Sequence, residues 1–414
     1  MFCLFFLSTY LSDLSILYSS YAINSFVLNI YRKKYIILEK IDYLIVGAGL
    51  FGAVIARLLT NANKKCLIIE CRNHIGGNCY TERIHGIDVH LYGPHIFHTD
   101  KKYIWDFVNK YSEFKPYQLN IKANYKEHIY SLPFNLNTFH EIFGCCTPKS
   151  AKEIIEEEKT TYEKITNLEE QAISNVGKTV YEKLIKGYTE KQWGKSCKDL
   201  PTDIIKRIPI RLTWDNNYFS DKYQGLPVNG YSALLESMLN GVNDEKNIEY
   251  RLNTDFLKNI DYWLSYARNI IYCGEPDKLV EYKLGELEWR SLEFIHEEVP
   301  NIIDEDQGCP IMNYTSKDVK FTRKVDQKYL TPDYQEGDKK IVTYEFPKQF
   351  EKGKTEAYYP INNEKNNELY DKYCSLIKKT YPNIILAGRL GLYKYLDMDD
   401  SIDEAFKLFK SINV

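Results

Sequence analysis

Residues 41–80 read IDYLIVGAGLFGAVIARLLTNANKKCLIIECRNHIGGNCY, and the fold turns on how this stretch is taken. IDYLIV is a short β-branched run without polar alternation, the pattern of a strand buried in a parallel sheet. It runs into a glycine turn with Gly47, Gly49 and Gly52 at GxGxxG spacing. FGAVIARLLTNA then carries apolar residues at helical intervals, and CLIIE is a second short buried strand ending on Glu70. Strand, glycine turn, helix and strand in that order make a βαβ unit. In such a unit Gly47 permits the tight turn, Gly49 lets the backbone approach a pyrophosphate, and Gly52 lets helix and strand pack closely. The helix N-terminus presents amide hydrogens to phosphate. An acid about 20 residues further on accepts from a ribose hydroxyl, the part that falls to Glu70. The stretch predicts an α/β, Rossmann-like domain that holds a dinucleotide.

The rest of the chain bounds what can be built around that unit. Its 414 residues exceed one hydrophobic core, so two or three packed units are expected. Net charge is −3 and no basic stripe stands out, which argues against nucleic acid. Tyrosine is abundant at 35 residues, a side chain that packs as carbon and still donates a hydrogen bond. Lysine far outnumbers arginine, so each of the 11 arginines is a candidate for a forked anion contact. Ten scattered cysteines form no CxxC pair, and no histidine stands at a zinc spacing. Reduced thiols in a cytoplasmic protein are expected. Residues 1–37 are apolar and aromatic but interrupted by Ser, Thr, Asp and Asn. They read as an N-terminal extension of unknown role, with weak membrane association left open.

Along the chain, YQLNIKANYKEHI (117–129) alternates like a strand or hairpin, and 136–200 reads as several helices with one glycine-containing break. GLPVNGYSALLESML (225–239) begins with turn residues and becomes an amphipathic helix. NIEYRLNTDF (247–256) and NIIYCGEPD (269–277) look like strands returning to the parallel sheet. Turn-punctuated strands over about 281–360 suggest an antiparallel sheet, and DDSIDEAFKLFKSI (399–412) a final amphipathic helix. The expected organisation is a dinucleotide-binding domain at 38–115, continued in 225–280 and 365–414. A helical domain at 136–215 is inserted, and an antiparallel sheet domain comprises 281–364 with 116–135.

The run CRNHIGGNCYT (71–81) follows the ribose acid. Its Arg72 and the Gly76–Gly77 pair, with Asn78, resemble the second glycine motif of FAD enzymes of the glutathione-reductase and amine-oxidase type, which favours FAD over NAD. LYGPHIFHT (91–99), GYTEKQWG (187–194), KRIPIR (206–211), NNYF (216–219), YKLGELEWRSLEF (282–294), YYPI (358–361) and GRLGLYKYLDMD (388–399) then follow in order. Together these motifs resemble the bacterial UDP-galactopyranose mutases, from about Ile37 to the end of the chain. The resemblance implies an isomerase that interconverts UDP-galactopyranose and UDP-galactofuranose. It implies reduced FAD whose N5 attacks the anomeric carbon without net redox change, an external reductant such as NAD(P)H, a homodimer, and a place in cell-wall polysaccharide synthesis.

The same resemblance assigns residues. Arg389 looks like the arginine beside flavin and diphosphate, Tyr395 like a phosphate-contacting tyrosine, and Asp397 like a nearby essential acid. Arg207 resembles a mobile-loop arginine that closes over the diphosphate. Tyr218 and Tyr358 are similar to phosphate-side tyrosines. Tyr188 resembles the tyrosine that stacks on uracil, and Trp193 a loop residue near sugar and uridine, with Gly194 as a hinge. Arg290, Arg323 and Glu345 look like substrate-cleft residues, and His95 like a histidine beside the flavin. His95 and His98 stand three apart, but no carboxylate or cysteine completes a metal set, so no metal is expected. The run CGEPDKLVEYKLG (273–285) departs from the family's glycine–proline–isoleucine–aspartate turn. The rival reading is an amine-oxidase-like flavin oxidoreductase, which needs an apolar amine pocket in place of arginines and tyrosines.

Overall fold

The computed structural model describes residues 40–205 and 210–412; the extension expected at 1–37 lies outside the described residues. A five-stranded parallel sheet forms the base. Its order is Glu249–Arg251, Cys66–Ile69, Ile41–Val46, Ala267–Tyr272 and Ile384–Leu386. The three inner strands are apolar on both faces because helices cover both. Leu44, Ile45, Ile68, Ile69, Ile270 and Ile271 are completely buried, each stabilising the fold by roughly 1.5–3 kcal/mol. The register brings the strand ends level. Val46, Tyr272 and Leu386 lie side by side, so Gly47, Cys273 and the Ala387–Gly388 corner stand together at the carboxyl rim, where ligands of open α/β sheets sit.

Helix Leu50–Asn61 packs behind this rim against helix Met398–Ser411. Arg57, fully buried in the first of these, is a structural arginine and not an anion reader. Its guanidinium donates to the carbonyls of Met238 (2.6 and 2.8 Å), Leu239 (3.1 Å) and Lys246 (2.8 Å), satisfying the open carbonyls at the end of helix Gly230–Asn240.

A seven-stranded sheet stands over the rim. Its order is Tyr359–Pro360, Trp289–Pro300, Lys339–Gln349, Arg323–Asp326, Ile311–Tyr314, Ile121–Tyr125 and His128–Leu132. The hairpin read near 117–129 joins it by a parallel pairing of Ile121–Tyr125 with Ile311–Tyr314. The sheet is therefore mixed where an antiparallel one was expected, because its edge hairpin comes from a distant part of the chain. A second difference lies at 223–227. Tyr223–Pro227 is the central strand of a three-stranded antiparallel sheet with Phe97–Thr99 and Phe114–Pro116; the turn follows it, with Asn229 and Gly230 at φ 65° and 78°. Residues 136–193 are mainly helical, with breaks at 144–147 and 159–167 as well as at Gly177 where one glycine-containing break was expected, and a π-helical stretch Tyr181–Lys186 runs into helix Gly187–Trp193. Among the described residues no helix is long and apolar enough to cross a membrane.

Candidate active site

The glycine turn and the second glycine motif pack directly on one another. Gly76 N–H donates to the Ala48 carbonyl (2.8 Å), and Gly49 and Gly76 form a parallel bridge. Two close approaches explain the composition. A Cβ on Gly52 would lie 2.0 Å from the Gly47 carbonyl oxygen, and a Cβ on Gly77 3.1 Å from Gly49 Cα. Glu70, almost fully buried, accepts from the Ala48 N–H (2.8 Å) and the Arg72 N–H (2.9 Å). Both contacts are charge-assisted and fix the carboxylate beside the turn. Arg72 donates to Asn78 (3.2 and 3.3 Å) and to Glu356 (2.5 Å), with its guanidinium 4.5 Å above the Tyr92 ring.

One continuous cavity of about 1280 Å³ runs from this cradle to the seven-stranded sheet. Its wall includes Gly47, Gly49, Gly52, Glu70, Arg72, Gly76, Gly77 and Asn78 at one end. Further along come His95, Tyr188, Tyr218, Arg323, Glu345, Tyr358, Arg389, Tyr395 and Asp397. Residues from distant parts of the chain are thus brought to one surface. Cys71, Cys79 and Cys273 also line it. Burial pushes these thiols up to about 11, 12 and 12, so they stand there as neutral thiols.

Arg389 follows the final sheet strand in the short helix Gly388–Gly391. One of its terminal nitrogens donates to the Tyr358 carbonyl, and the guanidinium lies 5.5 Å over the Tyr358 ring. The fork is anchored on one side and keeps further donors for the cavity. Tyr395 and Asp397 follow in the turn that leads into helix Met398–Ser411, with Asp397 at its N-cap. Burial pushes the Tyr395 phenol up to about 12 and Asp397 adds to it, which keeps the hydroxyl a neutral donor.

Across the cavity, Arg323 and Glu345 face one another on adjacent antiparallel strands. Arg323 Nη1 lies 3.7 Å from Glu345 Oε2, and Arg323 Nε donates to the Tyr188 hydroxyl at 3.0 Å. Burial raises the Glu345 carboxyl above its usual range and Arg323 offsets that only in part. Glu345 Oε1 and Asn313 Oδ1, both on the cavity wall, are buried acceptors without a partner among the described residues. An unpaired buried acceptor is costly, so this wall is built to receive donors from a hydroxyl-rich ligand.

His95 Nδ1 bonds the Gly93 carbonyl at 2.8 Å, so that nitrogen carries the proton and Nε2 is the acceptor. Burial lowers the ring to about 4, so it is neutral at physiological pH. His98 does not join a metal set: it stacks on Phe219 (3.7 Å between rings) and contacts Asp221 (3.2 Å). Among the described residues no group of three metal-ligating side chains exists.

Some expected residues stand elsewhere. Trp193 is the last residue of its helix, packed on the core, and is not in the cavity wall. Gly194 acts as the helix C-cap at φ 65°, donating to the Glu190 carbonyl at 2.9 Å. Arg290 is also absent from the wall; it is buried behind it, donating to the Gln192 carbonyl (2.9 Å) and Gln349 (2.7 Å). Tyr358 lines the cavity, but its hydroxyl donates to the Tyr92 carbonyl. Arg207 lies outside the described residues. Sequence reasoning missed Tyr359, Asn313 and Arg211, all in the wall. The YYPI motif contained Tyr359, yet only the pleat tells it from its neighbour. In the departing run 273–285, Pro276 opens a short helix at N1 and Asp277 accepts from Leu287 N–H (2.9 Å), so the displaced proline still yields a defined turn.

The fold and site define a flavin-cradling enzyme whose second ligand is anionic and rich in hydroxyls. The cradle fits FAD: Gly52 has no room for a Cβ and Gly77 is tightly packed on Gly49, and Glu70 is fixed beside the turn, where a ribose hydroxyl would meet it. The profile of the UDP-galactopyranose mutase family matches residues 183–395, and that of NAD(P)-binding Rossmann-like domains matches 45–111. A dTDP-fucopyranose mutase of Escherichia coli is 40% identical over 88% of this chain and 96% of its own. The Klebsiella pneumoniae "Probable UDP-galactopyranose mutase" is 40% identical over 88% and 93%. The UDP-galactopyranose mutase of Mycoplasma pneumoniae is 31% identical over 90% and 96%. A solved reduced UDP-galactopyranose mutase shares the fold over 90% of this chain and 95% of its own, with a TM-score of 0.68 at 14% identity. The chain belongs to the UDP-galactopyranose mutase family, and it is an FAD-dependent isomerase. Membership selects this reading over the amine-oxidase-like alternative.

Proposed function

We propose that this protein interconverts UDP-galactopyranose and UDP-galactofuranose with no net redox change. The observation that carries the reading is the joining of a flavin cradle to a wall of arginines, phenols and unpaired acceptors in one cavity. When bound and reduced, FAD supplies an electron-rich N5 able to act as a nucleophile toward the anomeric carbon.

The chain's own residues do the rest. Arg389, anchored on the Tyr358 carbonyl, directs its remaining N–H donors at the departing diphosphate. Tyr218, Tyr395 and Tyr359 add hydroxyl donors; Tyr358 joins them only by releasing the Tyr92 carbonyl. Arg207 and Trp193 belong to this proposal as residues of a segment that closes over the nucleotide. Tyr188 seats the base, and its hydroxyl is held by Arg323. Glu345 Oε1 and Asn313 Oδ1 accept from sugar hydroxyls and orient the ring. Arg290 acts indirectly, by holding the Gln192 carbonyl behind the wall. His95 presents an unprotonated Nε2 beside the cofactor end, and Asp397 holds the turn that carries Tyr395. An external reductant such as NAD(P)H, a homodimer, a cytoplasmic location, a role in cell-wall polysaccharide synthesis and the three-unit domain division complete the reading.

The test is an anaerobic incubation of dithionite-reduced holoenzyme with UDP-galactofuranose, followed by chromatography. UDP-galactopyranose formed over many turnovers per flavin is expected. Flavin oxidation in proportion to substrate, without isomer, refutes the proposal. The E. coli relative favours a second reading, a dTDP-linked 6-deoxyhexose. Comparing kcat/KM for the two nucleotide sugars decides between them.

A further inference from the structure

We propose that Lys191 is a positioning residue for nucleotide binding, acting through the Tyr188–Arg323 contact. The proposal rests on the reading of that wall as the nucleotide-sugar seat.

Lys191 stands on the same short helix as Tyr188, Gly187–Trp193. Its ammonium donates to three backbone carbonyls, Tyr314 at 2.7 Å, Val319 at 2.9 Å and Phe321 at 2.9 Å. All three N–H donors are thereby used, and among the described residues no carboxylate pairs with the ammonium. The neighbouring acid, Glu190, pairs with Lys317 instead. Burial lowers the ammonium to about 8, a measure of how dry the site is. A half-buried cation held by three carbonyls is an expensive way to fasten a helix, so what it fastens has to be exact.

Tyr314 ends strand Ile311–Tyr314, and Val319 and Phe321 lie in the turn that leads from it to strand Arg323–Asp326. Arg323 follows Phe321 by two residues, so the ammonium grips the turn from which Arg323 emerges. The helix is pressed onto the same turn at a second point. A Cβ on Gly187 would lie 2.2 Å from the Thr315 carbonyl oxygen, although Gly187 has ordinary helical angles. Glycine is needed there for approach and not for conformation. At a third point Thr315 Oγ1 donates to the Lys183 carbonyl at 2.7 Å, within the π-helical stretch that precedes Tyr188. The π-helical stretch sets which way Tyr188 faces, and Lys191 sets how far the helix stands from the sheet. The outcome of both is one distance, 3.0 Å from Arg323 Nε to the Tyr188 hydroxyl.

The experiment is a double-mutant cycle on holoenzyme, with Lys191→Met, Tyr188→Phe and the pair, reading the Kd for UDP by calorimetry. Lys191→Met keeps the length of the side chain and removes the three donors. It is expected to weaken UDP about tenfold in the wild-type background, since misplacing a binding group by an ångström costs on that order or more. It is expected to leave UDP affinity unchanged in the Tyr188→Phe background, where the contact it serves is already gone. FAD content and the flavin spectrum should match the wild type in all variants, because the cradle is remote from this joint. A merely structural lysine predicts the same loss in both backgrounds, and that additivity overturns the proposal, as does unchanged UDP affinity in Lys191→Met. Should Lys191→Met give no soluble holoenzyme, Thr315→Val, which cuts the same joint at its third point, runs through the same cycle with the same two outcomes. Wild-type holoenzyme that binds no UDP refutes the seat itself, and so is distinguished from a failure of Lys191.

Discussion

Substituting Gly52 by alanine tests the cradle with one methyl group. Gly52 sits in the first turn of helix Leu50–Asn61 with ordinary helical geometry, so alanine imposes no conformational strain. The whole effect is steric. The added Cβ would lie 2.0 Å from the Gly47 carbonyl oxygen, 3.2 Å from its carbon and 3.3 Å from Ile45 Cγ2. Restoring an ordinary contact requires the helix end and the glycine turn to part by over about 1 Å, on the order of a tight overpacking defect. Such defects cost about 1–3 kcal/mol. Here the displaced atoms include the amides of the turn and helix N-terminus that would hold the cofactor's pyrophosphate, so the loss is expected to fall on cofactor binding as well as on stability. We expect FAD to bind at least about tenfold more weakly, equivalent to about 1.4 kcal/mol. The assay is recovery of flavin fluorescence on serial dilution of the holoprotein. Gly86→Ala is the control. Nothing lies within 4 Å of its would-be Cβ, and its φ of 77° makes alanine strained. It should lower the melting temperature yet leave the FAD Kd unchanged. A Gly52→Ala protein that binds FAD within twofold of wild type refutes the packing argument.

Arg389→Ala is expected to lose more than about a hundredfold in kcat with FAD still bound, since it removes the fork proposed for the diphosphate; near-normal turnover of UDP-galactofuranose contradicts the assignment. Asp277 is buried beneath the 273–285 turn, and burial raises its carboxyl to about 6. The folded state binds that proton more tightly than the unfolded chain, so this group's contribution to stability is full below about pH 4 and lost as pH rises to about 6. Two units amount to about 3 kcal/mol. The difference in urea-unfolding free energy between wild type and Asp277→Asn should therefore change by that order between pH 4 and 7, and a pH-independent difference refutes it. His95 should remain a neutral ring protonated on Nδ1 down to about pH 5; an imidazolium signature in ¹⁵N spectra at pH 6 refutes that.

The cradle was legible because its rule is local. Strand, turn, helix and acid lie within thirty residues, and each glycine answers a contact made close by in the chain: Gly52 meets Gly47, and Gly77 meets Gly49. The parallel sheet followed from the same unit, since a short apolar run such as NIIY has no other home than its interior. The three-stranded sheet was hidden because Tyr223–Pro227 ends in proline and carries a glycine, a composition that reads as turn. It survives as a strand by pairing on both sides with Phe97–Thr99 and Phe114–Pro116, contacts across more than a hundred residues that no window of sequence contains.

The active-site residues divide along the same line. The resemblance of GRLGLYKYLDMD names Arg389, and the structure carries it to the cavity wall through one thing, the strand Ile384–Leu386 joining the sheet beside Ala267–Tyr272. Once that happens the Ala387–Gly388 corner must abut Cys273 and Gly47 at the rim. Gly388 is at φ 69° with its would-be Cβ 3.2 Å from Cys273 Cβ, so the corner has no freedom to carry Arg389 elsewhere. Arg290 and Tyr358 resisted reading because their side chains have competing backbone partners. In a strand, neighbours alternate between two faces, and nothing in YYPI says whether Tyr358 or Tyr359 gives its hydroxyl to a carbonyl. The Tyr92 carbonyl decides, and it is 266 residues away. Motif identity therefore carries a side chain to the site but not its hydrogen bond. In a cavity walled by several phenols, the hydrogen bond separates a donor to phosphate from a strut.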